Sequence, residues 1–336
     1  MHKTLIFLIL LQIIGTTKIY SQDSDYLSSG TISSNQIFFL GESHGVSENV
    51  DLAKQFITEL VEKGDLKYII AEKSFSSCLI LNDAIQREDT AKIEEVLLNW
   101  GNTYSRTHEQ YELMKHIIIM NKGRKDKIML LGIDIPASAR HLCDTVLMNY
   151  DDAFIQDYVK NNIEQAKAAI AVNNRKWDKT RDQFIYQNFK RLREYYGITD
   201  EKMFGLWGIT HTYKTSSEGA KWIAAFLQEE NYRVYSIGIY YLNSSILRPW
   251  YWVKKNKRDG SCFYINRYSN VSKKARKRIN NLENLDIVQI SDLDRFKVKS
   301  FIDSPTSKEH LTDYLDEIII IKNGNAMKVL GSNNCK

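Results

Sequence analysis

Residues 37–45 read IFFLGESHG, an apolar run that passes directly into polar and charged residues. The apolar part predicts a buried β-strand, and Glu42 and His44 follow where the strand ends. In an extended segment, residues two apart point to the same side, so the carboxylate and the imidazole can share one pocket. Such a carboxylate can raise the pKa of the imidazole, fix its tautomer or join it in holding a metal.

The same pattern recurs along the chain and predicts an α/β fold with a mostly parallel central sheet flanked by helices. Apolar residues recur at helical spacing over 46–61, and a second apolar run at 66–71 ends at Glu72. A strand, a helix and a strand connected in this way form a parallel unit. Further strands are predicted by nearly continuous apolar runs, which suit a sheet covered on both faces. These runs lie at 128–133, 203–210, 234–241 and 318–321.

Four of the predicted strands end in ionisable residues. They carry, in order, Glu42 with His44, Glu72, Asp134 and His211. In open α/β sheets the ligand crevice lies beyond the carboxyl ends of the strands, so we expect these side chains to converge. There is a simpler alternative for each residue: Glu42 could lie near a helix N-terminus, and Glu72 could face water at its strand end. Asp134 could start a turn, and His211 could be a helix N-terminal or core histidine. Charged ends on so many buried strands are unnecessary for folding, which favours a functional site.

A long, charged and helical stretch precedes the His211 strand. It spans about 138–200 and predicts a helical insertion that forms one wall or a lid. A helix antiparallel to its following strand begins on the side where that strand ends. Arg181 can therefore reach the crevice as an anion or carbonyl clamp, and a solvated pair with Asp182 is an equal alternative. No Gly/Ser linker divides the chain, which favours one domain over 22–336.

Residues 1–21 have the pattern of a secretory signal peptide, with a basic start, an apolar core of about ten residues and a small residue near position 21. We therefore expect export to the periplasm or the medium. Removal of Lys3 and Lys18 lowers the formal net charge from +5 to +3. The later apolar runs are too short to cross a bilayer, so no transmembrane segment is expected.

The chain has four widely separated cysteines, which are Cys78, Cys143, Cys262 and Cys335. Their spacing is not that of a metal site. In an exported protein they can form disulfides or stay as free buried thiols, and the sequence leaves both open.

The region 248–278 is strongly basic and rich in aromatic residues. It contains eleven Lys or Arg against one Asp, a net charge of +10. Basic and aromatic stretches can hold single-stranded nucleic acid. For an exported chain, an anionic glycan or lipid, or simply a solvated face, is a better interpretation than nucleic acid.

Two further chemistries match the same residues. Gly41 and Gly45 flank Ser43 as in a nucleophile elbow, and Ser43, Asp134 and His211 follow the hydrolase order. An elbow normally follows several strands, whereas this one follows the first, which argues against Ser43 as a nucleophile. The convergent acids and histidines also offer oxygen and nitrogen ligands suited to Zn, Mn or Fe, which leaves a metal site open.

With these residues placed, the chain resembles the erythromycin esterase-like family, within a wider group that includes ChaN-like haem-uptake proteins and Tiki metalloproteases. The likeness runs from about residue 37 to the C-terminus. Its motifs are FLGESHG at 39–45, IAE at 70–72, GID at 132–134, Arg181-Asp182 with Asn188, and WGITH at 207–211. The resemblance implies an α/β enzyme with a hydrolytic site lined by Glu42, His44, Glu72 and His211.

The chain departs from the family pattern at two positions. One residue, Ser43, separates Glu42 from His44 where the esterases usually have two, and this spacing is closer to the ChaN-like pattern. Thr210 stands where the esterases commonly have Asn. These departures put hydrolysis of macrolide esters in doubt and keep the metal alternative open.

The sequence thus predicts a hydrolase of an ester or related acyl bond acting on a small molecule. His44 is the expected general base, oriented by Glu42 or Glu72. His211 and Arg181 are expected to stabilise developing oxyanion charge, and Arg181 with Asp134 to contact the substrate. This interpretation requires no cofactor. The alternative is an envelope protein that binds haem or a divalent metal.

Overall fold

The computed structural model of the chain contains one seven-stranded sheet flanked by helices. The strands are β1 (Ile37–Glu42), β2 (Leu66–Ser74), β3 (Met129–Asp134), β4 (Lys202–Gly208), β5 (Val234–Leu242), β6 (Ser244–Pro249), β7 (Cys262–Tyr268), β8 (Ile287–Ile290) and β9 (Glu317–Lys322). In the sheet order β3-β2-β4-β1-β5-β9-β8, the first six strands run parallel and β8 pairs antiparallel with β9. Strands β6 and β7 form a separate antiparallel hairpin. The predicted fold class is confirmed.

The structure describes residues 25–99, 104–136, 140–172, 174–217, 219–249, 262–271, 287–290 and 310–331. The predicted signal peptide, Cys335 and large parts of the basic region 248–278 lie outside these residues. Cys78 and Cys143 are buried free thiols. Within the described residues, no helix combines the length and the apolar character needed to span a membrane.

Nine α-helices fall within the described part of the chain and connect the strands. They are α1 (Ser29–Ser34), α2 (Glu48–Gly64), α3 (Phe75–Gln86), α4 (Thr90–Leu98), α5 (His108–Asn121), α6 (Arg140–Asn149), α7 (Ala153–Ala171), α8 (Asn174–Tyr195) and α9 (Ile223–Glu229). Helix α2 follows the predicted periodicity, since Val50, Phe56 and Leu60 are buried along one face. It ends where Asp65 adopts a left-handed conformation with φ 52°.

The sheet is the centre of the hydrophobic core. All six residues of β1 are buried, as expected for a central parallel strand with both faces covered. Helices α6, α7 and α8 occupy the predicted helical insertion, and α8 packs against β3. Its residues Ile185, Phe189 and Leu192 enter the main core, and Asn188 donates from Nδ2 to the carbonyl of Ile133 at 3.0 Å. Helix α8 is therefore held rigidly beside the carboxyl end of the sheet.

Several elements differ from the sequence expectations. Strand β4 ends at Gly208 rather than at residue 210, and a short 3₁₀ turn (Ile209–Thr212) carries His211. Helix α3 and strands β6, β7 and β8 were not predicted. Most residues of α3 are buried around its whole circumference, so it lacks the one-sided apolar period that identifies a helix.

Candidate active site

The predicted residues meet because their strands are neighbours in the sheet. Strands β3, β2, β4 and β1 lie side by side and run parallel, so their carboxyl ends form one edge. Asp134 ends β3, Glu72 lies near the end of β2, His211 follows β4, and Glu42 ends β1. Together with Arg181 from α8, all of them line one cavity of about 1020 Å³.

The turn after β1 fixes the imidazole of His44. Its Nδ1 lies 2.7 Å from Oε1 of Glu42, which is almost completely buried. The ring of Tyr104 packs against the imidazole at a centroid distance of 5.1 Å. The His44 side chain is nevertheless 30% exposed, so it reaches the open part of the cavity.

Gly45 anchors this turn to the rest of the protein. Its carbonyl accepts hydrogen bonds from the backbone N–H of Leu247 at 2.9 Å and of Met327 at 3.0 Å. Gly45 has φ +104°, and a Cβ at this position would lie 2.2 Å from the carbonyl oxygen of Leu247. Only glycine satisfies both the conformation and the close approach.

Gly45→Ala is expected to lower the melting temperature clearly. The positive φ costs about 1–2 kcal/mol, and the clash with Leu247 adds a further ~1–3 kcal/mol. Gly123→Ala is the matched control, because Gly123 has φ +72° but no described heavy atom within 4 Å of a Cβ. Thermal unfolding of the two variants separates strain from steric clash, and equal melting temperatures would refute this account of Gly45.

Glu72 is the central carboxylate of the site. Its Oε2 accepts from the backbone N–H of Gly208 at 2.8 Å and lies 3.6 Å from Nε2 of His44. Its Oε1 accepts from Nη2 of Arg181 at 2.8 Å and lies 3.8 Å from Nε2 of His211. Glu72 therefore connects both histidines and the arginine.

Arg181 holds two carboxylates at once. Its Nε and Nη2 form a fork on Asp134, at 2.9 Å from Oδ1 and 2.6 Å from Oδ2, in addition to the Nη2 contact with Glu72. Bidentate arginine–carboxylate pairs are among the strongest and most directional hydrogen bonds in proteins. Arg181 therefore reaches into the crevice. Its hydrogen bonds there are to Asp134 and Glu72, and not to Asp182 as in the alternative pairing.

Asp182 instead orients His211. Its two carboxylate oxygens lie 2.8 and 3.0 Å from Nδ1 of His211, and Oδ1 also accepts from the backbone N–H of Ile223 at 2.9 Å. Nη1 of Arg181 lies 3.1 Å from Nε2 of His211. Because a guanidinium only donates, Nε2 accepts this bond in the neutral tautomer that carries its proton on Nδ1. Burial lowers the pKa of His211, but Asp182 more than offsets this, and the net pKa is raised.

The charges of the site shift one another's pKa values. Burial lowers the pKa of His44, yet the carboxylates of Glu72 and Glu42 outweigh it and raise the pKa above the ordinary 6.5. Burial alone would raise the pKa of Glu72, but His44, Arg181 and His211 hold it well below its usual range. Glu72 is therefore a permanent anion at neutral pH, whereas His44 can change its charge there.

The contacts do not assemble a serine triad. The hydroxyl of Ser43 lies 3.4 Å from the hydroxyl of Tyr268. Asp134 bonds Arg181, while His211 has Asp182 as its carboxylate partner. This arrangement supports the sequence argument against Ser43 as a nucleophile.

A metal ion would compete with Arg181 for the same donor atoms. Among the described residues, no group of three or more His, Cys, Asp or Glu is placed to hold one. Nη1 of Arg181 bonds Nε2 of His211 and Nη2 bonds Oε1 of Glu72, so a cation bound by these two atoms would have to displace the guanidinium. The predicted alternative of haem or metal binding stays a prediction.

The cavity is also lined by residues that the sequence analysis missed as site residues. They are Lys73, Tyr104, Ser105, Arg248 and Tyr268. Lys73 directly follows Glu72, and Arg248 begins the basic region, so the sequence position of both residues could have indicated a place near the site. Tyr104 and Ser105 lie in a connection without any motif. The sequence analysis considered Asp182 only as an ion-pair partner of Arg181, its neighbour in the chain, and not as a site residue.

Comparisons with known proteins identify the fold. No family model and no curated protein sequence matches the chain. A Bacillus cereus protein of known crystal structure covers 96% of this chain and 98% of its own, with TM-score 0.65 and 15% identity. A succinoglycan biosynthesis protein covers 88% and 90%, with TM-score 0.63 and 14% identity.

The third solved structure is a mutant of erythromycin esterase EreC in an open conformation. It covers 88% of this chain and 92% of its own, with TM-score 0.63 and 15% identity. Identities this low establish a shared fold and nothing finer. The chain therefore has the fold of erythromycin esterase EreC, as its resemblance to the erythromycin esterase-like proteins predicted.

Proposed function

We propose that this protein is a hydrolase in which His44 activates water to attack an ester or related acyl bond. The observation that supports this most is the position of His44. Its Nδ1 is bonded to buried Glu42 at 2.7 Å, its Nε2 lies 3.6 Å from Glu72, and its side chain is partly exposed in the cavity. An oriented imidazole that is partly exposed in a cavity can accept a proton from a bound water, as general base catalysis requires.

The carboxylate of Glu42 sets the tautomer of the base. With the proton of neutral His44 on Nδ1 and donated to Glu42, the lone pair is on Nε2. A water attacking the acyl carbon gives its proton to Nε2, and the same proton then passes to the departing alcohol oxygen. Glu72 and Glu42 stabilise the imidazolium formed between these two steps.

Arg181 supplies positive charge and hydrogen-bond donors for the oxyanion of the tetrahedral intermediate, and His211 adds positive charge when it is protonated, a state that Asp182 favours. Asp134 and Glu72 hold the guanidinium of Arg181 before the substrate arrives, so little reorganisation is needed during the reaction. Asp182 acts as a positioning residue, because it fixes the ring of His211 through Nδ1.

The ester as substrate class draws on the fold shared with erythromycin esterase EreC. The metal-free mechanism draws on the place of the Arg181 guanidinium, which contributes the positive charge that a Lewis acid would otherwise supply at this site. Asp134 and Arg181 are proposed to border the bound substrate, as both line the cavity.

The experiment is hydrolysis of a panel of 4-nitrophenyl esters, anilides and glycosides by the purified protein, before and after treatment with EDTA. We expect turnover of esters, with rates unchanged by the chelator. Loss of activity on chelation and its return with one metal would contradict the metal-free mechanism. Cleavage of glycosides alone would contradict the acyl chemistry, and haem absorbance of the protein would favour the binding alternative.

A further inference from the structure

We propose that Asn49 and Tyr241 are positioning residues of the site, which hold the peptide groups of Ser43 and so align His44 as the general base. The inference rests on the proposed function, because it adds two residues to the same reaction. Neither Asn49 nor Tyr241 lines the cavity. Both therefore act through the backbone of the turn and not on the substrate.

Three hydrogen bonds form a closed ring around Ser43. The backbone N–H of Ser43 donates to the hydroxyl of Tyr241 at 3.1 Å, and that hydroxyl donates to Oδ1 of Asn49 at 2.7 Å. Nδ2 of Asn49 then donates to the carbonyl of Ser43 at 3.1 Å. A hydroxyl and an amide can each donate and accept, so every bond of the ring has a donor and an acceptor. Both peptide groups of Ser43, the one shared with Glu42 and the one shared with His44, are therefore fixed.

The register of the sheet places Tyr241 beside this turn. Strands β1 and β5 are parallel neighbours, and Gly41 of β1 pairs with Gly238 of β5. Strand β1 ends one residue later, whereas β5 continues to Leu242. Tyr241 therefore lies past the end of β1, where the chain leaves the sheet. Asn49 lies in the first turn of α2, the helix that follows directly.

The burial of both residues argues against a role in packing alone. Asn49 and Tyr241 are each completely buried. Asparagine is mostly exposed in proteins, and a buried amide is costly unless it is hydrogen-bonded. A bond between the two side chains would be enough to attach α2 to β5. Both side chains also bond the peptide groups of Ser43, which that attachment does not need.

Fixing Ser43 fixes the two residues that flank it. Nδ1 of His44 lies 2.7 Å from Oε1 of Glu42, and this bond spans Ser43. On the other side of His44, two backbone N–H groups hold the carbonyl of Gly45. The imidazole is thus anchored from both sides, although the His44 side chain is 30% exposed. A displacement of about 1 Å in a catalytic group can cost ~10²-fold in rate.

Tyr241→Phe removes the hydroxyl and keeps the ring. We expect kcat for ester hydrolysis to fall about 10- to 100-fold with little change in KM, because the base is misplaced while the cavity is intact. Burial lowers the pKa of His44, and Glu72 and Glu42 raise it above 6.5. A loosened contact with Glu42 should let this pKa fall towards 6.5, since the other charged groups acting on it, Glu72 and Arg181, are unchanged. The pH profile of kcat/KM and an NMR titration of the imidazole measure the shift.

Asn49→Leu breaks the ring at its other member with a side chain of similar size. It should change kcat and the pKa of His44 in the same direction as Tyr241→Phe. The two substitutions act on the same peptide groups, so the double variant should lose less than the product of the two single fold-changes. Tyr150→Phe is the control. The hydroxyl of Tyr150 donates to Asp83 away from the cavity, so its loss should leave kcat and the pKa of His44 as in the wild type.

The NMR titration separates this inference from the proposed function, because it needs no substrate. The signal of His44 is identified by its absence in His44→Asn. If the wild type hydrolyses no ester, the proposed function fails, while a lowered pKa of His44 in Tyr241→Phe still supports the hold of the ring on the imidazole. An unchanged pKa in both Tyr241→Phe and Asn49→Leu overturns the inference. A fall in kcat that Tyr150→Phe reproduces also overturns it, because general loss of stability then explains the effect.

Discussion

Replacing His44 by asparagine is expected to lower kcat for ester hydrolysis by ~10²- to 10⁴-fold, the usual contribution of a positioned general base. Asparagine retains an N–H that can donate to Glu42 but has no lone pair that accepts a proton at neutral pH. The variant therefore keeps much of the hydrogen bonding of the turn and loses the chemistry. Steady-state kinetics on the best ester of the panel measures the effect.

The pH dependence gives a second readout of the same residue. Burial lowers the pKa of His44, but the carboxylates of Glu72 and Glu42 outweigh this effect and raise the pKa above 6.5. Only the neutral imidazole can act as a base. The wild-type kcat/KM should therefore rise with pH through an apparent pKa above 6.5. The residual activity of His44→Asn should lack this limb, because the group that titrates is gone.

His116→Asn is the matched control for this substitution. His116 is half-buried in α5, bonds the hydroxyl of Thr58 at 3.0 Å, and does not line the cavity. We expect it to change kcat by less than about twofold, since it lies outside the reacting groups. Equal activity of His44→Asn and the wild type would refute the assignment of His44 as the base.

The sheet and most of the charged residues at its carboxyl edge could be predicted from the sequence, because both follow from one rule. An apolar run followed by an ionisable residue marks the carboxyl end of a buried parallel strand, and parallel strands bring those ends to one edge. Glu42, Glu72, Asp134 and His211 were all found in this way. The exact end of β4 was not needed, because His211 lies only three residues beyond Gly208.

The partners of these residues were not predictable by the same reasoning. Which carboxylate Arg181 binds depends on differences of a few ångströms between strand ends, which no sequence period encodes. Arg248 reaches the cavity through the backbone bond between Leu247 and Gly45, two positions far apart in the chain. Lys73 lines the cavity beside Glu72 at a local shift of register between β2 and β3, which no sequence pattern marks.

The largest effect on folding is expected for Arg181→Met. The substitution leaves Glu72 and Asp134 buried without the cation they share, while methionine retains much of the apolar length of the side chain. Removing one partner of a buried ion pair typically costs ~3–5 kcal/mol. We expect a marked fall in melting temperature at pH 7.5 and loss of ester hydrolysis, because Arg181 also serves the oxyanion.

The pH dependence of this loss distinguishes electrostatics from packing. Burial alone would raise the pKa of Glu72. Its cationic neighbours nevertheless hold that pKa well below its ordinary value of 4.5. Its ionised form therefore contributes stability that is fully present above about pH 4.5 and is lost as the pH falls further. The stability difference between wild type and Arg181→Met should accordingly be largest near neutral pH and shrink progressively as the pH falls below about 4.5.

Arg233→Met provides the comparison, since Arg233 pairs with Asp200 at 2.9 Å on the surface, where both side chains are at least half exposed. Exposed pairs contribute ~0–1 kcal/mol, so this variant should melt close to the wild type. If Arg181→Met melts like Arg233→Met at pH 7.5, the carboxylates do not depend on the arginine, and the charge network does not stabilise the fold. If instead its destabilisation does not shrink as the pH falls below about 4.5, lost packing rather than lost charge explains it.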